Sequence, residues 1–152
     1  MTPVASRLED GRLKIDLQEE EVRGGHALEE HFDKSDAELI GRIEREQWRF
    51  LFVEGGRKRA GTFFSLGEAN EYVSATLEAN RAIVNEVASG RTGNAFLTQR
   101  FGFVTGREAI VDPERRSMRL RPTYGVGVLI FRDKQSLLGF RVQTAFPRND
   151  DQ

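Results

Sequence analysis

Near residue 90 the spacing of apolar side chains changes period, and few features limit the fold of a 152-residue chain more. Upstream the spacing is helical. Ala69, Tyr72, Val73, Thr76, Ile83, Val84 and Val87 fall on one side of a helix expected over about residues 66–88. Ser65 and Glu68 open it with capping-box spacing: the hydroxyl accepts from a free helix-end N–H and the carboxylate reaches back. Ser89-Gly90 closes it, with Gly90 free to take the left-handed cap. Downstream, alternation predicts strands over 95–98, 101–105, 107–111, 116–121, 125–132 and 137–146. Asp133-Lys134-Gln135-Ser136 suits the loop of a hairpin joining the last two. Helices first and strands later imply an α+β domain with an antiparallel sheet.

The N-terminal third is read the same way. Leu13, Ile15 and Leu17 alternate with Lys14 and Asp16, which suits one short strand in an otherwise exposed lead-in over residues 1–25. Glu19-Glu20-Glu21 reads as a solvated patch, and Gly24-Gly25 punctuates the chain. A helix is expected over about 27–32, with a break at Asp33-Lys34. Ser35 and Glu38 repeat the capping-box spacing and restart a helix striped by Leu39, Ile40 and Ile43. Trp48, Phe50 and Phe52 hint at extended structure, Gly55 to Arg59 at a basic turn, and Thr62-Phe63-Phe64 at a short strand. The length fits one domain.

Composition narrows the chemistry. There is no cysteine, so disulfides and thiolate catalysis are excluded. No apolar run nears the roughly 20 residues of a membrane span. The N-terminus lacks a basic start followed by an apolar stretch, so no cleavable signal is expected and a cytoplasmic setting is. Residues 1–50 carry 8 basic and 13 acidic side chains; residues 51–152 carry 15 and 11, a balance that would suit phosphate in the C-terminal part. Scattered surface charge explains it equally well. The same holds for Arg57, Lys58 and Arg59 and for Arg115, Arg116, Arg119 and Arg121, which could track an RNA backbone. Phe101 and Phe103 are candidate base-stacking rings, with core packing the commoner use.

The two histidines, His26 and His31, would lie about 140° apart on one helix and could not share a site from it. His-Glu-x-x-His is absent, as are the Walker, Rossmann and Gly-x-Ser-x-Gly patterns. Metal-free acid–base chemistry remains, and RNA permits it because its own 2′-OH can attack the adjacent phosphorus. That reaction needs a base, an acid and a cation. Histidine titrates near neutrality, and arginine grips phosphate with a planar fork.

Three blocks resemble the bacterial RNase A-like toxin domains found at the C-termini of contact-dependent growth-inhibition and other polymorphic toxins. They are Gly24-Gly25-His26-Ala27-Leu28-Glu29-Glu30-His31 continuing to Leu39, Gly61-Thr62-Phe63-Phe64 with Glu78-Ala79-Asn80, and Val142-Gln143-Thr144-Ala145-Phe146-Pro147. The resemblance covers roughly residues 18–147, setting one domain there after a lead-in (1–17) and before a tail (148–152), and it implies N-terminal helices packed on a curved antiparallel β-sheet without disulfides. It places the catalytic histidine at His31, the phosphate-binding arginine at Arg42 and the active-site threonine at Thr144. His26 is implied as a second acid or base and Phe146 as a substrate contact; Lys34 could touch phosphate, with an exposed lysine the commoner case. Phe146 stands where the family has tyrosine, so a hydroxyl is missing.

The function implied is a metal-independent endoribonuclease toxin, without cofactor, cutting by transesterification to a 2′,3′-cyclic phosphate. Its expected partners are an RNA substrate, tRNA among the candidates, and a cognate immunity protein. A monomer acting in a target cell's cytosol, away from membranes, is expected. The alternative is a catalytically impaired domain of the same fold that binds RNA or protein. On one straight helix His31 and Arg42 would lie about 16 Å apart, so the break before Ser35 has to fold the second helix back. Thr144 and Phe146 should share a strand face, with Phe140 and Val142 expected on it too.

Overall fold

The computed structural model describes residues 6–22, 24, 25, 59–112 and 117–149, the side chains of 59, 60, 110–112 and 117–119 excepted. The elements run β1 (Arg7–Glu9), β2 (Arg12–Lys14), α1 (Leu17–Val22), β3 (Arg59–Phe63), α2 (Leu66–Ala79), α3 (Arg81–Ser89), β4 (Asn94–Arg100), β5 (Gly106–Asp112), β6 (Ser117–Thr123), β7 (Gly125–Arg132) and β8 (Phe140–Arg148). This is the α+β class that the change of period implies, although three described strands, β1 to β3, precede α2. β1 and β2 form a hairpin, and two three-stranded sheets follow the orders β3-β5-β6 and β4-β7-β8. Every described pairing is antiparallel.

The expected single helix over 66–88 is two. Asn80, at φ −115° and ψ 31°, breaks it, and its side-chain amide donates to the Thr76 carbonyl (2.8 Å) and to Thr98 in β4 (3.1 Å). The amide thus satisfies one orphan helix-end carbonyl and pins the corner to the sheet. The outer caps agree with expectation: Ser65 Oγ accepts from Glu68 N at 3.2 Å, and Gly90 takes φ 85°.

The lead-in is exposed only in part. Leu13, Ile15 and Leu17 are buried, and Glu20, within the expected solvated patch, is 2% exposed. The alternation there makes a hairpin rather than one strand, because Asp10 (φ 53°) and Gly11 (φ 77°) supply the two positive-φ residues of a tight turn. Leu17, Ile15 and Leu13 donate their backbone N–H groups to Asn70, Ser74 and Glu78 of α2, at 2.9, 2.9 and 3.3 Å. Four helical residues advance about 6 Å and two strand residues about 6.6 Å, so the two ladders stay in step. The strand edge is satisfied without a third strand.

Residues 101–105 are not the strand expected there. Phe101 and Phe103 pack on Tyr72 of α2, each with centroids 5.4 Å away; Phe101 is packed against the core, whereas Phe103 is 49% exposed. Burial, then Glu68 and Glu71, raise the Tyr72 phenol pKa. Thr105 Oγ1 meets Thr123 Oγ1 at 2.9 Å and donates to the Gly125 carbonyl at 2.7 Å. These bonds hold the corner where the chain passes from β6 to β7 through Tyr124 alone.

The core lies where α2 and α3 cover one face of the β4-β7-β8 sheet. Val73, Leu77, Val84 and Val87 meet Leu97, Val126, Val128, Ile130, Phe140, Val142 and Ala145. Each fully buried aliphatic or aromatic side chain contributes about 1.5–3 kcal/mol. Among the described residues, no helix is long and apolar enough to cross a membrane.

Candidate active site

Strand β8 sets which side chains leave this core. In its register with β7, Leu129 pairs with Thr144 but Ile130 pairs with Val142, so Gln143 is one residue too many. Such a β-bulge resets the alternation of faces. Phe140 and Val142 point to the core before it, and Ala145 and Pro147 after it. Thr144 and Phe146 do share a face, as expected. Phe140 and Val142 do not share it with them: the bulge puts that pair on the opposite side.

The face that carries Thr144 and Phe146 looks away from α2 and α3. Register orders it in rows: Asn94 with Phe131 and Arg141, Phe96 with Leu129 and Thr144, and Thr98 with Gly127 and Phe146. Arg100 and Arg148 flank Gly125 in the last row. The Phe96 and Phe146 rings stack, with centroids 5.8 Å apart and planes at 21°. The Arg148 guanidinium lies 5.5 Å from the Phe96 centroid, and that of Arg141 5.4 Å from Phe131. Thr144 Oγ1 is buried with no hydrogen-bond partner among the described residues. A buried hydroxyl left so is costly, by about 1–3 kcal/mol, and native folds rarely keep one without a use.

Both chain segments flanking residues 26–58 are fastened to β8. At the N-terminal side, Glu20 Oε2 accepts from Val142 N at 3.1 Å. Gly25 N donates to the Glu20 carbonyl at 2.9 Å. A Cβ on Gly25 would stand 2.5 Å from the Val142 carbonyl oxygen, so only glycine permits this approach. Gly24, at φ 104°, turns the chain there. At the C-terminal side β3 runs against β8, where a Cβ on Gly61 would stand 2.7 Å from the Pro147 carbonyl oxygen.

Of the residues singled out from the sequence, Thr144 and Phe146 come together here. His26, His31, Lys34 and Arg42 lie outside the described residues, as do the helices expected at 27–32 and from Ser35, Trp48 to Phe52, Arg57, Lys58, Arg115 and Arg116. Arg121 is engaged within the protein: its Nη2 is 2.7 Å from Oε1 of Glu108, whose side chain is 1% exposed. Phe96, Arg100, Phe131, Arg141 and Arg148 carry no motif. Their signal is the even spacing of Phe96, Thr98 and Arg100 along β4, which acquires meaning only through the register with β7 and β8.

A family model described as the bacterial CdiA-CT RNAse A domain matches residues 25–147. A solved CdiA-CT/CdiI complex from Y. kristensenii 33638 contains a chain similar to this one, with a TM-score of 0.64 and 21% identity. The match covers 81% of this chain and 98% of that one. At that identity the likeness speaks for the fold. Comparison with curated proteins gives no match.

Proposed function

This chain belongs to the bacterial CdiA-CT RNAse A domain family, a family of ribonuclease toxin domains, and from that membership we propose that it cleaves RNA by metal-independent transesterification. His31 is the principal proton-transfer residue and His26 its partner. One takes the proton of the 2′-OH, whose oxygen attacks the adjacent phosphorus; the other delivers a proton to the departing 5′-oxygen. The products are a 2′,3′-cyclic phosphate and a free 5′-hydroxyl. The Arg42 guanidinium balances the charge gathered on the pentavalent phosphate. The Thr144 hydroxyl donates to a non-bridging oxygen. Phe146 and Lys34 contact the substrate.

The observation that carries this reading is the double tether. The segment holding His26, His31, Lys34 and Arg42 leaves the described fold against Val142 and rejoins it against Pro147. Both anchors lie within three residues of Thr144, on the same strand. The unpartnered Thr144 hydroxyl agrees, since a phosphate oxygen would supply the missing acceptor. A solved relative is a complex with CdiI. By analogy a cognate immunity protein is proposed as the partner, and the toxin acts as a monomer in a target cell's cytosol.

Labelled RNA incubated with the protein in EDTA tests the mechanism. Wild type should yield fragments ending in cyclic phosphate, and His31→Ala should lose at least about a hundredfold in rate. Full activity in His31→Ala removes the assignment. Phe146 favours a second reading, because its ring packs on Phe96 where the family carries a hydroxyl. An impaired domain that binds without cutting predicts no cleavage at high enzyme concentration and recovery in Phe146→Tyr.

A further inference from the structure

We propose that the outer face of the β4-β7-β8 sheet is a base-stacking platform for single-stranded RNA, with Phe96 as the ring that takes the base next to the phosphate held at Thr144. The proposal rests on the ribonuclease reading above and adds the residues that would position the substrate.

Phe96 is 46% exposed, although it sits in the interior of a strand beside a well-packed core. The sheet is shaped around its ring. A Cβ on Gly127 would stand 2.7 Å from Phe96 Cζ and 3.2 Å from Arg148 Cδ, so any larger residue there would lift the ring and crowd the arginine. Phe146 backs the ring in a near-parallel stack, which fixes its plane. The result is a supported aromatic surface with the Arg148 guanidinium over the ring, 5.5 Å from its centroid. Flat π surfaces accept any base, and arginine adds both cation–π attraction and a fork for phosphate.

Charge decides which occupant fits. The face carries Arg100, Arg141 and Arg148, and no carboxylate among its described residues. Phe96, Leu129 and Thr144 lie in one row across three strands. Phe96 and Thr144 are therefore about 10 Å apart along that row, a span that a ribose between base and phosphate bridges when both side chains reach toward it. An acidic protein would also be attracted to the arginines, but it would bind Phe96 through apolar area and not through stacking.

That difference sets the experiment. Wild type, Phe96→Leu, Phe96→Ala and Phe96→Tyr are compared in two assays: kcat/KM on single-stranded RNA, and the affinity for a fluorescent single-stranded DNA oligonucleotide, which lacks the attacking hydroxyl. Leucine keeps the apolar contact and removes the π-face; tyrosine keeps both. Phe96→Leu and Phe96→Ala should weaken both readings by about five- to a hundredfold, and Phe96→Tyr should stay within about twofold of wild type. Unchanged thermal unfolding of Phe96→Leu shows that the loss is not one of folding. A Phe96→Leu protein that equals wild type in both assays overturns the platform while leaving the ribonuclease reading intact. Wild type that fails to cut RNA, yet binds the oligonucleotide in a Phe96-dependent way, removes the ribonuclease and keeps the platform. Neither cutting nor binding removes both.

Discussion

Thr144 is the residue where stability and activity part. Its buried Oγ1 has no partner among the described residues, which leaves the desolvation cost of that hydroxyl unmet by them. Thr144→Val keeps the shape and removes that cost. Thermal unfolding should show a variant at least as stable as wild type, by up to about 1 kcal/mol. RNA cleavage should fall by at least about tenfold, the effect of losing one preorganised donor to the phosphate. A variant that loses stability while keeping activity would make Thr144 an ordinary sheet residue. Glu108 shows the opposite use of a buried polar group. Its carboxylate is paired with Arg121 at 2.7 Å, which removes that arginine from the set that could track RNA.

At the scale of elements, β8 organises the site through two irregularities. The bulge at Gln143 turns Thr144, Phe146 and Arg148 away from the core that Phe140 and Val142 enter. The close approach of Gly25 then brings α1 and the chain beyond it to the same strand. Gly25→Ala places a methyl 2.5 Å from the Val142 carbonyl, and neither backbone can yield cheaply. Overpacking of this kind costs about 1–3 kcal/mol. Denaturant unfolding should show that loss, and RNA cleavage should fall further than the unfolded fraction explains, because the tether of residues 26–58 shifts with it. Cleavage that tracks the folded fraction alone would separate the tether from catalysis.

The molecule as a whole depends on how its two sheets meet. Pro147 at the end of β8 is wedged between Gly61 of β3 and Gly106 of β5; a Cβ on Gly106 would stand 2.8 Å from Pro147 Cγ. Gly106→Ala should lower stability by about 1–3 kcal/mol in chemical denaturation. Gly67, in the first turn of α2, has nothing within 4 Å of the added methyl. Gly67→Ala should stabilise by about 0.5–1 kcal/mol, as expected where glycine serves no packing purpose. Equal effects at the two positions would mean that the sheet junction is not close-packed.

Local chemistry was legible in the sequence. The Ser65 and Gly90 caps, the hairpin loop from Asp133 and the alternation in β4 and β7 depend on side chains within a few residues of one another, and the short-range physics is unambiguous there. The co-location of Thr144 and Phe146 on one face was legible for the same reason. The break at Asn80 was not, because the Thr98 carbonyl that it binds is 18 residues away. Nor was the burial of the lead-in, whose backbone donors are met by side chains more than 50 residues downstream. The bulge at Gln143, and the platform that Phe96 forms with Phe146, arise from the register of three strands. Composition and periodicity determined that this chain would place helices on an antiparallel sheet. Only the packed molecule decided which face of that sheet α2 and α3 leave uncovered, because register is a property of pairs of strands and no single strand encodes it.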